Sequence, residues 1–171
     1  MLLGAATRVA PDAVGIATAP GGKPYLAGRA GDVSDLRFSV SRAGDRALLA
    51  VMRGVEVGVD IATLEDVPEA ATIVERYAPS GRLPGGDTVS PGTFLAWWVA
   101  TEAVAKASGG GLAATLGTYE LHRRASRLVT NRPVGGTRWQ VSPLDAGCAH
   151  VAAIATPHDV TLEIHHRDHP C

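Results

Sequence analysis

Cysteine is scarce in this chain of 171 residues: Cys148 and Cys171 are the two present. Two thiols, one of them at the last position, build no disulfide framework, so the fold rests on a packed core and a reduced cytoplasmic compartment is expected. Cys148 lies in an apolar run and is expected to be a small buried residue. Excess charge of either sign is also missing, with 16 basic against 17 acidic residues and a formal net charge of -1. No global field marks a nucleic-acid or membrane surface, and any recognition of anions has to be local. Long hydrophobic runs are absent too. No stretch approaches the roughly 20 apolar residues of a membrane-spanning helix, and the opening MLLGAATRVAPD is too short and too polar at its end for a signal peptide. There is no low-complexity tract, and the echo of GRAGD at 28–32 in SRAGD at 41–45 is too short for a repeat.

What is there suits one folded domain, or two small lobes sharing a core: 46% of the residues are apolar and 19% charged. The chain is organised around residues 94–112, FLAWWVATEAVAKASGGGL. Ser90 offers its hydroxyl as a cap, and Pro91 suits the first helical position because its missing N–H would have no partner there. Gly109, Gly110 and Gly111 stop the helix. In between, Trp98, Glu102 and Lys106 fall at i, i+4 and i+8, so a helix stacks an indole, a carboxylate and an ammonium along one side. An ordinary surface pair of this kind contributes about 0.2–0.5 kcal/mol. Trp97 and Trp98 read as core residues.

Before this helix, residues 1–12 read as the last turns of a helix, 14–18 as a short strand and 19–35 as a loop able to approach a ligand. Residues 37–41 and 47–53 read as strands joined by a turn at Ala43-Gly44-Asp45, and a second turn at Gly54 predicts a return through 55–61. That gives a meander of three antiparallel strands. On the last of them a period of two sets Val57, Val59 and Ile61 on one face, with Asp60 facing away from the core side. Residues 68–77 fit a helix with Pro68 in its first turn. The Pro- and Gly-rich stretch 78–87 is the candidate boundary between an N-terminal lobe, 1–77, and a C-terminal lobe, 78–171. Later runs at 119–130, 138–141, 150–156 and 160–165 suggest a second sheet of three or four strands.

The order of FSVS, then VGVDIA, then WVATEAVAKASGGGL resembles that of the Sfp-type 4'-phosphopantetheinyl transferases. That family has a GKPY-like loop, an F-S/N-x-S-H segment, a G-V-D-I-E strand and a W-x-x-K-E-A-x-x-K helix in this order. The matching residues here are Gly22-Lys23-Pro24-Tyr25, 38–42, 58–62 and 98–106. The resemblance implies an α+β fold of two pseudo-equivalent lobes, each with a small antiparallel sheet packed on a long helix. It also implies transfer of 4'-phosphopantetheine from coenzyme A to a serine of an acyl or peptidyl carrier protein, in polyketide, nonribosomal peptide or fatty-acid assembly. Asp60 and Glu102 would hold Mg2+ through hard oxygen ligands. Lys106 would contact the phosphates or help the leaving group, and Glu102 or a water on the metal would take the serine proton. Lys23, Pro24, Ser41 and Arg42 would line the coenzyme, with Arg42 gripping a phosphate through its planar fork.

The chain also departs from the family pattern. Ala62 replaces the second acid of G-V-D-I-E, Arg42 the histidine, Thr101 the first lysine of K-E-A, and Gly81 an acidic residue before the long helix. Set against the family pattern, the front of the first lobe is expected to be shortened. These changes motivate an alternative: a relative that binds a carrier domain or its tethered intermediate without transferring anything, or that performs other chemistry in the old cleft. A dimer completing the first lobe is a further alternative to a monomer. Arg123, Arg124, Arg127, Arg132 and Arg138 form a local basic run that reads either as a docking surface for an acidic carrier or as a solvated strand face. His165, His166 and His169 fit no common zinc spacing.

Overall fold

The computed structural model describes residues 2–27 and 35–161. Helix α1 (Leu2–Thr7) leads through a 3-10 turn at Pro11–Ala13 into the antiparallel hairpin of β1 (Ile16–Thr18) and β2 (Pro24–Leu26). The expected loop at 19–35 is thus partly a strand, because the turn chemistry of Gly21 and Gly22 returns the chain onto β1. A second hairpin joins β3 (Leu36–Ala43) to β4 (Arg46–Arg53), with Gly44 at φ 57 in the two-residue turn that the sequence marks.

Strand β5 (Gly58–Thr63) does not complete a meander with β4. It is the edge of a five-stranded sheet ordered β5-β9-β8-β7-β6, the last four being β6 (Leu121–Arg124), β7 (Arg127–Thr130), β8 (Trp139–Leu144) and β9 (His150–Pro157). The physical reason lies in its side chains: Val57, Val59 and Ile61 are buried, and so are Gly58 and Asp60 opposite them. A strand covered on both faces belongs inside the molecule rather than at the margin of a small meander. The sheet therefore draws β5 from the expected first lobe and β6–β9 from the second. Val160 and Thr161, the start of the expected strand at 160–165, lie outside any strand, and its remaining residues 162–165, with the three tail histidines and Cys171, fall outside the described residues. Cys148 is exposed between β8 and β9, not buried.

The helices are α1, α2 (Ala70–Tyr77), α3 (Pro91–Ser108) and the single turn α4 (Leu112–Thr115). Among the described residues the α+β fold has one long helix, α3, where the resemblance implies one in each lobe. Ser90 caps it by accepting from the Thr93 amide at 3.3 Å while the Thr93 hydroxyl accepts from the Ser90 amide at 2.9 Å, and Gly109 ends it in the left-handed region at φ 72. It packs on β5, β8 and β9 and is buried around most of its circumference, as a helix with so few polar residues must be. Trp97 is buried and Trp98 half-buried. No helix among the described residues is long and apolar enough to cross a membrane.

Contact between α3 and β5 depends on a missing side chain. A Cβ on Gly58 would overlap the Ala103 carbonyl oxygen and lie 2.5 Å from the Ala107 amide nitrogen, both backbone atoms that cannot swing aside. Gly58→Ala is expected to destabilise the protein by roughly 2–3 kcal/mol. Gly92→Ala, at a helical position with nothing within 4 Å, is expected to be neutral or to stabilise by up to about 1 kcal/mol. Urea midpoints of the two variants check this, and equal midpoints would show that the close approach carries no weight.

Candidate functional site

Asp60 is the centre of the site. Its face of β5 is turned toward α3 rather than away from the core, because Gly58 on the same face lets the helix settle against the strand. A buried carboxylate needs partners, and Asp60 Oδ1 has two: the Ser41 hydroxyl donates at 2.6 Å and the Lys106 ammonium at 2.6 Å. Lys106 also donates to Ser41 Oγ at 3.0 Å. Its ion pair is thus with Asp60 across the fold rather than with Glu102 one turn back on its own helix.

Ser41 sits on β3, which lies beside β5 without a backbone ladder. The outward amides of β5 are received by serine hydroxyls instead: Val59 N–H donates to Ser39 Oγ at 3.1 Å and Ile61 N–H to Ser41 Oγ at 3.3 Å. Ser41 Oγ consequently donates once and accepts twice, which is all that a hydroxyl can do. Lys23 is equally committed. Its ammonium pairs with Glu56, which also accepts from Arg37 Nε at 2.8 Å, and it donates to the carbonyls of Val57 at 3.3 Å and Ala107 at 2.8 Å. The Ala107 contact satisfies a carbonyl of the last turn of α3 with a cation. Three donors are used three times.

Glu102 differs from all of these. It is half-buried and makes no hydrogen bond among the described residues. Burial raises its pKa above the ordinary carboxylate value, the charge of Asp60 raises it further, and Lys106 offsets part of the rise. It is close enough to Tyr119 for its charge to push that phenol up, behind the larger effect of burial and against an offset from the hydrogen bond with Thr101.

A cleft of about 250 Å³ opens over Glu102 and Lys106, walled by the β1–β2 turn at Gly21 to Pro24, by Phe38, Ser39 and Val40 of β3, and by the glycines that end α3. The β1–β2 turn lies so near the helix end that a Cβ on Gly21 would overlap the Gly109 carbonyl oxygen. Of the sequence-expected residues, the fold gathers Lys23, Pro24, Glu102 and Lys106 around the cleft, with Asp60 and Ser41 bonded to Lys106 just behind it. Arg42 is exposed and is not part of the lining. No protein-family profile matches the chain, and no curated protein sequence matches it. Sequence reasoning missed Ser39 and Glu56. Ser39 was findable, since it shares a strand face with Ser41; Glu56 shows no local signal.

The donor set has a limited fit to a divalent cation. Among the described residues there is no cluster of three or more His, Cys, Asp or Glu side chains suited to a metal. Two carboxylates near enough for one to raise the proton affinity of the other remain, with Glu102 free of hydrogen bonds and one Asp60 oxygen outside the Lys106 pair. Mg2+ accepts one or two protein carboxylates when waters and substrate phosphates complete its shell, so Asp60 and Glu102 fit that role.

The raised pKa of Glu102 fixes the sign of a stability effect. Folded protein binds this proton more tightly than the unfolded chain, so stability falls as pH rises from the ordinary value of 4.5 through the raised one. Glu102→Gln is therefore expected to be more stable than wild type at neutral pH, with the difference shrinking to nothing as the medium is acidified below 4.5. Chemical unfolding of both proteins across that range checks it; a variant less stable at neutral pH would contradict it.

Proposed function

We propose that the chain is a phosphopantetheinyl transferase, moving 4'-phosphopantetheine from coenzyme A to a serine hydroxyl of an acyl or peptidyl carrier protein. With this reading go the two-lobed architecture of that family and the division at 77/78. The observation that carries it is convergence: Lys23, Ser41, Asp60, Glu102 and Lys106, scattered over the sequence in four motifs, are joined by hydrogen bonds or share one cleft.

In this reading the carrier serine oxygen attacks the phosphorus that bears the pantetheine arm, and the bond to the adenosine 3',5'-bisphosphate leaving group breaks. Glu102, with raised proton affinity and no hydrogen bond to give up, accepts the serine proton. Lys106 has one N–H beyond those held by Asp60 and Ser41, and it stabilises the negative charge growing on the leaving phosphate. Asp60 and Ser41 hold that ammonium in place. A divalent cation held by Asp60 and Glu102 would neutralise phosphate charge. Pockets for whole small molecules run from about 300 to 1,000 Å³, so a cleft of about 250 Å³ receives part of the coenzyme and leaves the rest on the surface.

Intact-mass measurement on a panel of apo carrier domains, with coenzyme A and magnesium, tests the reading. The expected outcome is a mass gain of one phosphopantetheine, a rate roughly 10²–10³-fold lower in Lys106→Ala, and a rate that climbs with pH through a limb above the ordinary carboxylate range. A full panel left unmodified would sink it. The committed state of Lys23 and Ser41 favours a second reading, in which the chain binds a carrier domain without transfer. Carrier binding that needs neither coenzyme A nor magnesium would select that one.

A further inference from the structure

A second and larger cavity, about 460 Å³, lies on another side of α3. It falls within the size range of small-molecule pockets, and nothing in the chemistry above uses it. Its floor is made of side chains that the core already holds still: Leu83, Trp97, Thr101, Tyr119 and Leu121 are all buried. Tyr77 at the end of α2 closes one wall. The chain has few aromatic residues, 3 Trp, 3 Tyr and 2 Phe, and three of them meet here. The Tyr119 hydroxyl donates to the Thr101 carbonyl at 3.4 Å, so its polar end already has a partner within the lining.

The rim is polar and has one conspicuous unspent group. Arg82 is exposed and makes no hydrogen bond or ion pair among the described residues. Arg123 of the lining pairs with Asp87 at 2.7 Å, linking β6 to the end of the Pro84–Gly86 turn. Glu120, the acid of the lining, is engaged first with the Ser80 hydroxyl and then with His122 at 3.3 Å, and these hold its carboxyl below the ordinary range. Its charge is thus answered locally, and the guanidinium of Arg82 is the cation left for a ligand. An aromatic floor under a free planar cation selects a flat ring carrying an anionic group, the ring burying apolar area and the anion accepting paired N–H bonds.

We propose that this cavity is a binding site for a small aromatic acid, with its ring over Trp97 and Tyr119 and its anionic group on Arg82. The proposal is independent of the transferase reading and stands or falls without it. The test uses 8-anilinonaphthalene-1-sulfonate, an aromatic sulfonate whose fluorescence rises on leaving water. Titration into the folded protein is expected to give saturable binding of one probe per chain. Arg82→Ala should weaken it at least tenfold, and Ser80→Trp, which puts an indole at the mouth from an exposed position, should abolish it. Both changes are at exposed residues, and cooperative thermal melts verify that each variant is folded. Fluorescence that does not saturate, that rises only as the protein unfolds, or that saturates unchanged in both variants would overturn the proposal.

Discussion

Everything near the cleft depends on keeping the Asp60 carboxylate out of water. Uncompensated, that burial costs several kcal/mol, and it is tolerated when a counter-charge and hydrogen bonds are delivered to the same oxygen. Two elements deliver them to a third. β5 presents Asp60, β3 the Ser41 hydroxyl and α3 the Lys106 ammonium. Because β3 has no backbone ladder to β5, the Ser39 and Ser41 hydroxyls also serve as the joint between the small sheet and the large one. One hydroxyl is thus part of the architecture and part of the site, and loss of the charge pair would loosen both.

The fold was legible where its causes are local. The cap at Ser90, Pro91 in the first turn and the stop at Gly109 mark α3 to within a few residues, and the Gly44-Asp45 turn marks the β3–β4 hairpin. Pairing of β5 was not legible, since its partner β9 lies some ninety residues on and the nearer turn at Gly54 suggested β4. A hint was present all the same: a strand that interleaves Gly58 and Asp60 with Val57, Val59 and Ile61 is packed on both sides, and the helix that covers the second side is the one ending in Gly109. Strand β2 was hidden by Pro24, which disguises a short edge strand as a loop.

For the site, sequence spacing placed Glu102 and Lys106 on one face of α3 but paired them with each other. The fold gives Lys106 to Asp60 instead, because a half-buried helix face meets a buried acid before it meets solvent. Lys23 shows the same limit from the other direction. Its position in a Gly- and Pro-rich turn suggested a hand extended to a ligand, yet Glu56 and two carbonyls consume all its donors. Spacing reports where a side chain starts, and the partners that spend it come from elsewhere in the chain. Cys148 shows another limit of local pattern: its apolar neighbours suggested the core, and it is exposed.

Counting what remains unspent narrows the chemistry. Ser41 and Lys23 are saturated, so beside the Ser39 hydroxyl the charged capacity facing the cleft comes down to the Glu102 carboxylate and the third proton of Lys106. These two groups sit four residues apart on a helix that is capped at one end, stopped at the other and buried along most of its length. Their separation is set by helix geometry rather than by loop conformation, which is the condition under which a base and a cation act on the two sides of one bond without first being ordered. Lys106 cannot offer the protons held by Asp60 to an incoming anion as well, so any anion here draws on the remaining one or competes with a buried carboxylate. In the transferase reading proposed above, the grip on a substrate phosphate would therefore depend on the strength of the Asp60 pair, the same contact that joins β3, β5 and α3.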